Sequence, residues 1–437
     1  MQNQNSVVKG IKWTSMGTIG VAVCSLLRLS ILTRFLDRED FGLMALVLFV
    51  LGVISLFMDM GLTSAIFHRQ EISKKEYSSL YWINLAFGIL VFIVIVFLSP
   101  LIANFYDSPL LSSLIIIMST TVIFAGLGNQ FRTVEQKKLN FKIIALVELL
   151  SAILSLIVAI VMAVKGFGIY ALVISALIQY ALPNIFFFLR GWLLYPLLFH
   201  FNLKESFLFL RIGIFEVGSQ FVNYFNRDMD IIIIGKVFSP EILGGYSLAK
   251  QLVYKPAQIV NPIITKISNP LLAKFQGNLS SLKKNYLKLI NIVSSVNFFV
   301  YLLVFLFAPL IVQILYGTEY ENIVILVRIL SVYMYIRSIG NPIGSLVIAT
   351  GRTDISFFWN IFSLLVMPAF IFIGTQFSAE AVAYAMVAGI IALFVPNWWL
   401  LVKRMTGASL LEFCSAVVPK LYLKEMRIFI QKRNKNI

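Results

Sequence analysis

Cysteine and histidine are nearly absent from this sequence, which contains two of each. Cys24 falls in an apolar run and Cys414 in a basic C-terminal stretch, so the pair provides no disulfide framework. His68 and His200 each stand alone between apolar runs, and neither metal-ligand spacing nor a Ser/His/Asp arrangement can be built from them. We therefore expect neither a metal centre nor triad catalysis.

Charged residues are also scarce. They make up 13% of the chain, whereas soluble domains typically carry ~25%, and 59% of the residues are hydrophobic. Apolar runs fill the chain and leave no room for a sizeable soluble enzyme domain. Each run is close to the ~20 residues that match the hydrocarbon thickness of a bilayer. The sequence predicts an all-α membrane protein with twelve transmembrane helices, at about 10–33, 41–64, 80–102, 110–131, 141–164, 167–189, 207–235, 241–265, 287–311, 323–349, 355–375 and 379–402.

Lys and Arg are concentrated in every second gap between these runs. The intervening gaps hold only Arg34, Arg38, Lys165 and Lys236. The positive-inside rule therefore predicts that the basic gaps and both termini are cytoplasmic. Arg132 is assigned in this way to the cytoplasmic loop after the fourth run. We attribute the net charge of +16 to topology signals that face anionic lipid, and expect no nucleic-acid partner.

Two pairs of segments in the chain are similar to each other. Residues 35–42 match residues 237–244 in position and orientation, and Gly128-Asn129 corresponds to Gly340-Asn341. These matches predict two parallel repeats related by an axis along the membrane normal, with a binding site between them. The predicted parts are an N-terminal six-helix lobe at 1–190, a cytoplasmic inter-lobe linker at 191–206, a C-terminal six-helix lobe at 207–402 and a basic cytoplasmic tail at 403–437.

Three basic residues lie deep inside the predicted spans. A charge at the bilayer centre costs at least ~2.5 kcal/mol and is expected to face protein or water. Lys250, Lys255 and Arg337 are each about nine or more residues, or ~14 Å of helix rise, from either end of their spans. We predict that they line a wet, basic cavity and bind substrate.

Three further cations complete the predicted set but lie nearer the external ends. Arg28 and Arg328 can line the same cavity or extend to the lipid headgroups, and both interpretations stay open. Arg227 adjoins Asp228 and Asp230, which we interpret as its local partners rather than as ligands.

Uncharged polar residues recur at helical spacing beside these cations. Gln220 and Asn223 share one face of the predicted seventh helix, and Gln251, Tyr254 and Gln258 share one face of the eighth. We predict that both faces line the cavity. Two acids inside the spans, Glu148 and Glu216, are candidates for coupling to Na⁺ or H⁺, although an intramembrane hydrogen bond or ion pair is the structural alternative for Glu148.

A set of short elements occurs in order along the chain. They are Arg34-x-Leu36-x-x-x-Asp40-Phe41-Gly42, Asp59-Met60-Gly61-Leu62, Asp230-x-x-x-x-Gly235, Leu243-Gly244-Gly245-Tyr246-Ser247-x-Ala249, Asn269-Pro270-Leu271-Leu272, Tyr316-Gly317-x-x-Tyr320 and Ala349-x-Gly351-Arg352. The ordered set resembles the polysaccharide-exporter, or Wzx-type, branch of the multidrug/oligosaccharidyl-lipid/polysaccharide transporter superfamily.

This resemblance implies two six-helix lobes in a V around a central cavity. It also implies movement of an undecaprenyl-pyrophosphate-linked oligosaccharide, such as an O-antigen or teichuronic-acid precursor, to the external leaflet of the bacterial cytoplasmic membrane. A basic cavity suits the anionic pyrophosphate. The expected partners are this lipid-linked substrate, membrane lipid and other membrane proteins of polysaccharide assembly. We expect no cofactor, and coupling to Na⁺ or H⁺ stays open.

Two other functions remain as alternatives. A drug or small-cation exporter of the same fold would favour an acidic cavity, whereas the deep charges here are mainly basic. A membrane-embedded polymerase or glycosyltransferase would need a substantial loop with catalytic residues. The predicted external loops are too short for that role.

Overall fold

The computed structural model describes residues 2–59, 66 and 72–420, and within them the side chains of 10, 12–58, 66, 72–202, 217–218 and 220–420. This part of the chain is helical and contains no β-strand. Its helices are α1 (Gln2–Leu32), α2 (Arg38–Asp59), α3 (Lys74–Phe105), α4 (Pro109–Lys137), α5 (Phe141–Val164), α6 (Ile169–Leu194), α7 (Leu203–Val237), α8 (Pro240–Ala273), α9 (Leu279–Leu306), α10 (Ala308–Tyr316), α11 (Val324–Ile339), α12 (Pro342–Thr350), α13 (Thr353–Thr375), α14 (Ala379–Ala392), α15 (Phe394–Asn397), α16 (Lys403–Thr406) and α17 (Leu410–Val417).

Ten segments in the described part of the chain are long and apolar enough to cross a membrane. They lie at the predicted spans one to six and nine to twelve. The prediction of a multi-pass, all-α membrane protein is therefore confirmed. Helices α7 and α8 occupy the predicted spans seven and eight and have 35 and 34 residues, but they are more polar than the other ten. The count of twelve transmembrane helices stays a prediction.

Local sequence explains several helix ends. Ser73 caps α3 by accepting a hydrogen bond from the backbone N–H of Glu76, whose side chain accepts one from the Ser73 N–H in return. Helix α12 ends at Gly351, with φ of 70°, a left-handed conformation that glycine adopts at little cost. Helix α4 continues six residues beyond the apolar run predicted at 110–131 and ends shortly before Leu139, where φ is 61°.

The first of two compact units comprises Met1–Ser247 and Val312–Glu321. Helices α3 to α6 pack together in it around Tyr81, Phe131, Ile144 and Phe187. Small residues permit this packing: Gly128 lies against the backbone of Asn184 in α6.

The second unit comprises Leu248–Ile311 and Asn322–Ile437. Helix α9 packs against α11, α11 against α14 and α14 against α13, and the buried core of the unit includes Tyr286 of α9 and Phe413 of α17. These units do not coincide with the two six-helix lobes read from the sequence, and the division at 190 and 207 stays a prediction.

The first part of the predicted tail is docked onto helix α9. Lys283 near the start of α9 lies 2.6 Å from the carboxylate of Glu412. Asn291 donates hydrogen bonds to the carbonyl groups of Ala416 and Val418, at 3.0 and 2.8 Å. Ser294 donates to the carbonyl of Val417. Buried side chains of α9 therefore satisfy the carbonyl groups that the end of α17 leaves open.

Candidate functional site

The predicted cations of α8 lie at two depths in the second unit. Lys250 is buried, with 6% of its surface exposed, and its ammonium lies 5.4 Å from the centre of the Tyr254 ring, within range of a cation–π interaction. Lys255 and Gln251 are half-buried, and Gln258 is exposed. The polar face predicted on this helix thus runs from a buried cation to an exposed amide.

Arg337 lies on α11, one turn before a break in the helix. Its guanidinium donates a hydrogen bond to the Tyr333 hydroxyl at 2.7 Å, which orients the half-buried side chain along α11. The break follows at Gly340 and Asn341, and Pro342 begins α12. Asn341 donates its amide to the side-chain oxygen of Asn261 on α8, so this break is joined directly to the polar face of α8.

Arg328 lies two to three turns before Arg337 on the same helix. Its guanidinium is 5.7 Å from the centre of the Phe305 ring, and its Nε is buried without a hydrogen-bond partner among the described residues. Arg328, predicted to lie near the external end of its helix, therefore contacts other parts of the protein, including an aromatic ring.

Arg28, in the first unit, has a polar partner inside the protein. Its Nη1 donates a hydrogen bond to the Ser155 hydroxyl at 2.7 Å, and Ser155 donates to the carbonyl of Ser175 at 2.6 Å. This chain links α1, α5 and α6. The sequence offered cavity lining or extension to the headgroups for Arg28, whereas the structure shows a link between three helices.

Glu148 forms an ion pair with Arg132, at 2.5 Å. Arg132 lies within α4, so the segment predicted as a loop begins as a continuation of this helix. Both side chains are about one-third exposed, at 35% and 32%. The pair matches the structural alternative predicted for Glu148, and its cation was missed because the apolar run ends one residue before it.

A second carboxylate on α4, Glu135, is buried and was not predicted as a site residue. Its oxygens accept hydrogen bonds from Asn140 at 2.7 Å and Tyr195 at 3.2 Å, and Arg190 lies 3.4 Å away. The Glu135 cluster, comprising Glu135, Asn140, Arg190 and Tyr195, holds the end of α6 against the end of α4. Its charges pair internally, which favours a structural role.

Helix α7 carries the other predicted site residues of the first unit. Arg227 pairs with Asp228 at 2.8 Å, as predicted, and lies 4.9 Å from the centre of the Tyr224 ring. Asp230 is buried and accepts a hydrogen bond from Tyr246 at 2.5 Å. Gln220 and Asn223 are exposed. The side chain of Glu216 lies outside the described residues.

The predicted cations thus separate by unit. Lys250, Lys255, Arg328 and Arg337 belong to the second unit, and Arg28 and Arg227 to the first. In the second unit the polar face of α8 and the α11 break meet through Asn261 and Asn341, a contact that the sequence did not reveal. The arrangement offers cations and amide groups that can bind phosphate and sugar hydroxyls.

A comparison with protein families matches residues 31–325 to a model described as "Polysaccharide biosynthesis protein". The matched part covers more than half of the chain. The protein belongs to this family. The multidrug/oligosaccharidyl-lipid/polysaccharide transporter resemblance read from the sequence is confirmed.

Relatives of known name extend the similarity over almost the whole chain. The lipopolysaccharide biosynthesis protein WzxC of Escherichia coli is 29% identical over 425 residues, covering 97% of this chain and 86% of WzxC. The teichuronic acid biosynthesis protein TuaB of Bacillus subtilis is 28% identical over 401 residues, covering 90% of this chain and 82% of TuaB.

Among solved structures, the lipid II flippase MurJ in an inward closed conformation is similar in fold. The TM-score is 0.74 at 16% sequence identity, and the match covers 93% of this chain and 90% of MurJ. At this level of identity the likeness establishes the fold alone.

Proposed function

We propose that the protein is a flippase that moves undecaprenyl-pyrophosphate-linked oligosaccharide from the cytoplasmic to the external leaflet of a bacterial cytoplasmic membrane, for surface polysaccharide assembly. The names of its relatives support this substrate class, since WzxC and TuaB are named for lipopolysaccharide and teichuronic acid biosynthesis. MurJ, which shares the fold, is named as a flippase of lipid II. No covalent bond is made or broken in the proposed reaction.

The observation that carries the proposal is the position of Arg337. Its half-buried guanidinium lies within a membrane-spanning segment, held by Tyr333, one turn before the break that joins α8 through Asn341. A cation at such a depth is expected to face protein or water rather than lipid. The planar guanidinium can form two parallel hydrogen bonds with a phosphate, which suits a pyrophosphate headgroup.

The remaining roles follow from the position of each group. Lys255 is half-buried and supplies a second positive charge, while Lys250 is buried and supplies positive potential from behind Tyr254. Gln251, Gln258 and Asn261 present amide groups to sugar hydroxyls, while the prenyl chain remains in lipid. Alternating access carries the bound headgroup across, and other membrane proteins of polysaccharide assembly supply and remove the substrate.

Coupling to Na⁺ or H⁺ belongs to the same proposal. Of the two acids predicted for this role, Glu148 is held by Arg132, so a cation or proton at Glu148 would have to compete with a guanidinium. Because Arg132 lies on α4 and Glu148 on α5, binding of the ion would then change the packing of these two helices. Glu216 is the second candidate.

Flipping of a defined lipid-linked oligosaccharide in proteoliposomes tests the proposal. We expect Arg337→Ala to reduce the flipping rate by roughly tenfold or more, the loss of a charge-assisted contact. Arg337→Lys should retain more activity than Arg337→Gln, because a cation remains. Lys284→Ala removes an exposed cation on α9 outside this site and should leave the rate unchanged. Full flipping by the Lys250→Ala/Arg337→Ala double variant would contradict the proposal that these cations bind substrate.

A further inference from the structure

An exposed apolar stretch spans the last turn of α6 and the residues after it, in the predicted inter-lobe linker. Leu193, Phe199 and Phe201 are 81%, 91% and 57% exposed. Trp192, Leu194 and Leu198 between them are also exposed. Six large apolar side chains within residues 192–201 form a patch. A segment surrounded by water would be expected to bury such a patch. We call this patch the linker patch.

The part of the linker that follows α6 is not helical, and its backbone is hydrogen-bonded to side chains of helix α3. The Leu198 N–H donates to the Ser78 hydroxyl at 2.9 Å, and the Trp82 indole N–H donates to the Leu198 carbonyl at 2.9 Å. The Asn202 N–H donates to the Ser79 hydroxyl at 3.2 Å. In water such groups need no protein partner. Irregular backbone at membrane depth, however, requires its polar groups to be satisfied by protein.

The residues around the linker patch fit the boundary between hydrocarbon and headgroups. Trp82 stacks on Phe199, with ring centres 5.4 Å apart and an interplanar angle of 20°. Tyr195 contacts Lys138, whose ammonium lies 4.2 Å from the ring centre. Trp and Tyr are enriched at this level of a bilayer, and Lys there meets anionic headgroups.

The patch also continues exposed apolar side chains of α6. Phe186 and Leu189, within the spanning segment, are 40% and 58% exposed and precede Leu193 by about two turns and one turn. Exposed apolar side chains therefore recur at about one-turn spacing from the spanning helix onto the linker.

We infer that the linker patch is an in-plane membrane anchor, inserted among the glycerol groups and upper acyl chains of the leaflet predicted to be cytoplasmic. Lipid therefore covers the linker patch. The apolar side chains enter the bilayer, and the Ser78, Ser79 and Trp82 side chains replace the water that the backbone loses. The predicted linker is thus fixed to α3 and to the membrane plane and does not hang free in the cytoplasm.

Fluorescent labelling in proteoliposomes tests this inference. In a variant without Cys24 and Cys414, single cysteines at Leu193 and Phe199 carry an environment-sensitive dye. Ser280→Cys, exposed at the start of α9, supplies an aqueous control, and Leu365→Cys, 71% exposed within α13, supplies a hydrocarbon control. The vesicles contain phosphatidylethanolamine, phosphatidylglycerol and purified protein only. Lipids spin-labelled near the headgroup or near the chain end report depth, and aqueous iodide reports contact with water.

We expect the dyes at Leu193 and Phe199 to be quenched most by lipid labelled near the headgroup and to be shielded from iodide relative to Ser280. Quenching by iodide as strong as at Ser280 would overturn the inference. A blue-shifted dye that spin-labelled lipid does not quench would also overturn it, because protein would then cover the patch. Leu193 lies in the last turn of α6 and keeps the test valid if replacing Phe199 loosens the linker.

Discussion

Gly42 and Gly244 oppose each other reciprocally: a Cβ atom on either one would lie 3.1 Å from the backbone nitrogen of the other. The Cβ on Gly42 would also overlap the carbonyl oxygen of Pro240, and that on Gly244 the carbonyl oxygen of Arg38. Arg38 and Pro240 each precede their glycine by four residues. The two segments that match in sequence therefore pack against each other in matching ways.

We expect Gly42→Ala to lower the free energy of unfolding by about 1–3 kcal/mol, because its methyl group forces two backbone segments apart. Alanine favours a helix locally, so any loss must come from this contact. Gly344→Ala, in α12 with no atom within 4 Å of the added Cβ, is the matched control and should not be destabilised. Thermal unfolding in detergent measures both variants. Equal melting temperatures would mean that the segments are not in contact in solution.

The ion pair of Arg132 and Glu148 predicts a rescue by charge reversal. We expect Arg132→Gln and Glu148→Gln each to reduce stability by about 1–3 kcal/mol, and the double variant by less than the sum. Exchanging the residues, as Arg132→Glu/Glu148→Arg, should restore both stability and flipping if the pair is structural. The exposed pair of Arg352 and Asp354 supplies a control cycle with little coupling. Restored stability without restored flipping would indicate that Glu148 takes part in transport.

Docking of α17 should depend on pH. Hydrogen bonds from Lys283 and from the Ser409 N–H hold the pKa of Glu412 below its ordinary value of 4.5. Because the pKa is lowered, the ionised carboxylate stabilises the docked helix fully when the pH is above the ordinary pKa. This contribution is lost as the pH falls through the lowered pKa. A spin label at Leu411, which is 83% exposed, should become more mobile over that acidic range. Glu412→Gln should give the mobile spectrum at neutral pH, whereas Lys284→Ala should behave as the parent protein. A spectrum unchanged by Glu412→Gln would contradict a contribution from this pair.

The predicted orientation can be checked by labelling with a membrane-impermeant thiol reagent. In the variant without Cys24 and Cys414, cysteines at Asp107 and Glu321 should react from outside, and those at Lys75 and Ser280 only after permeabilisation. All four positions are exposed, whereas the neighbouring Tyr320 is buried and unsuitable. The reverse pattern would invert the topology and with it the proposed direction of flipping.

The sequence predicts the order of the helices well, because each apolar run must match the hydrocarbon thickness. It predicts their ends less well, because a helix continues until its backbone geometry changes. Helix α4 runs to Lys137, close to the left-handed Leu139, and this extension places Arg132 and Glu135 within the helix. Hydropathy had assigned Arg132 to a loop, so the partner of Glu148 was missed.

Polar partners distant in sequence could not be predicted from one chain. Asn291, Ser294 and Ser295 lie on one face of an apolar helix, and that spacing indicates a buried polar face. Their partners near residue 417 lie more than a hundred residues away, and nothing in the local pattern identifies them. Arg28 is similar: its position in the first run left cavity lining and headgroup contact open, and its contact with Ser155 depends on how α1 packs against α5.

The polarity of α7 and α8 has a consequence for biosynthesis. A charged residue such as Lys250 opposes transfer of an isolated helix from the translocon into lipid by about 2.5–3.5 kcal/mol near the centre of the helix, and Arg227 and Asp228, nearer the end of α7, add a smaller cost. Helix α7 gains a protein surface from α2, where the Tyr224 hydroxyl donates to the carbonyl of Phe49 at 3.0 Å. We therefore expect the insertion of α7 to depend on its packing against α2.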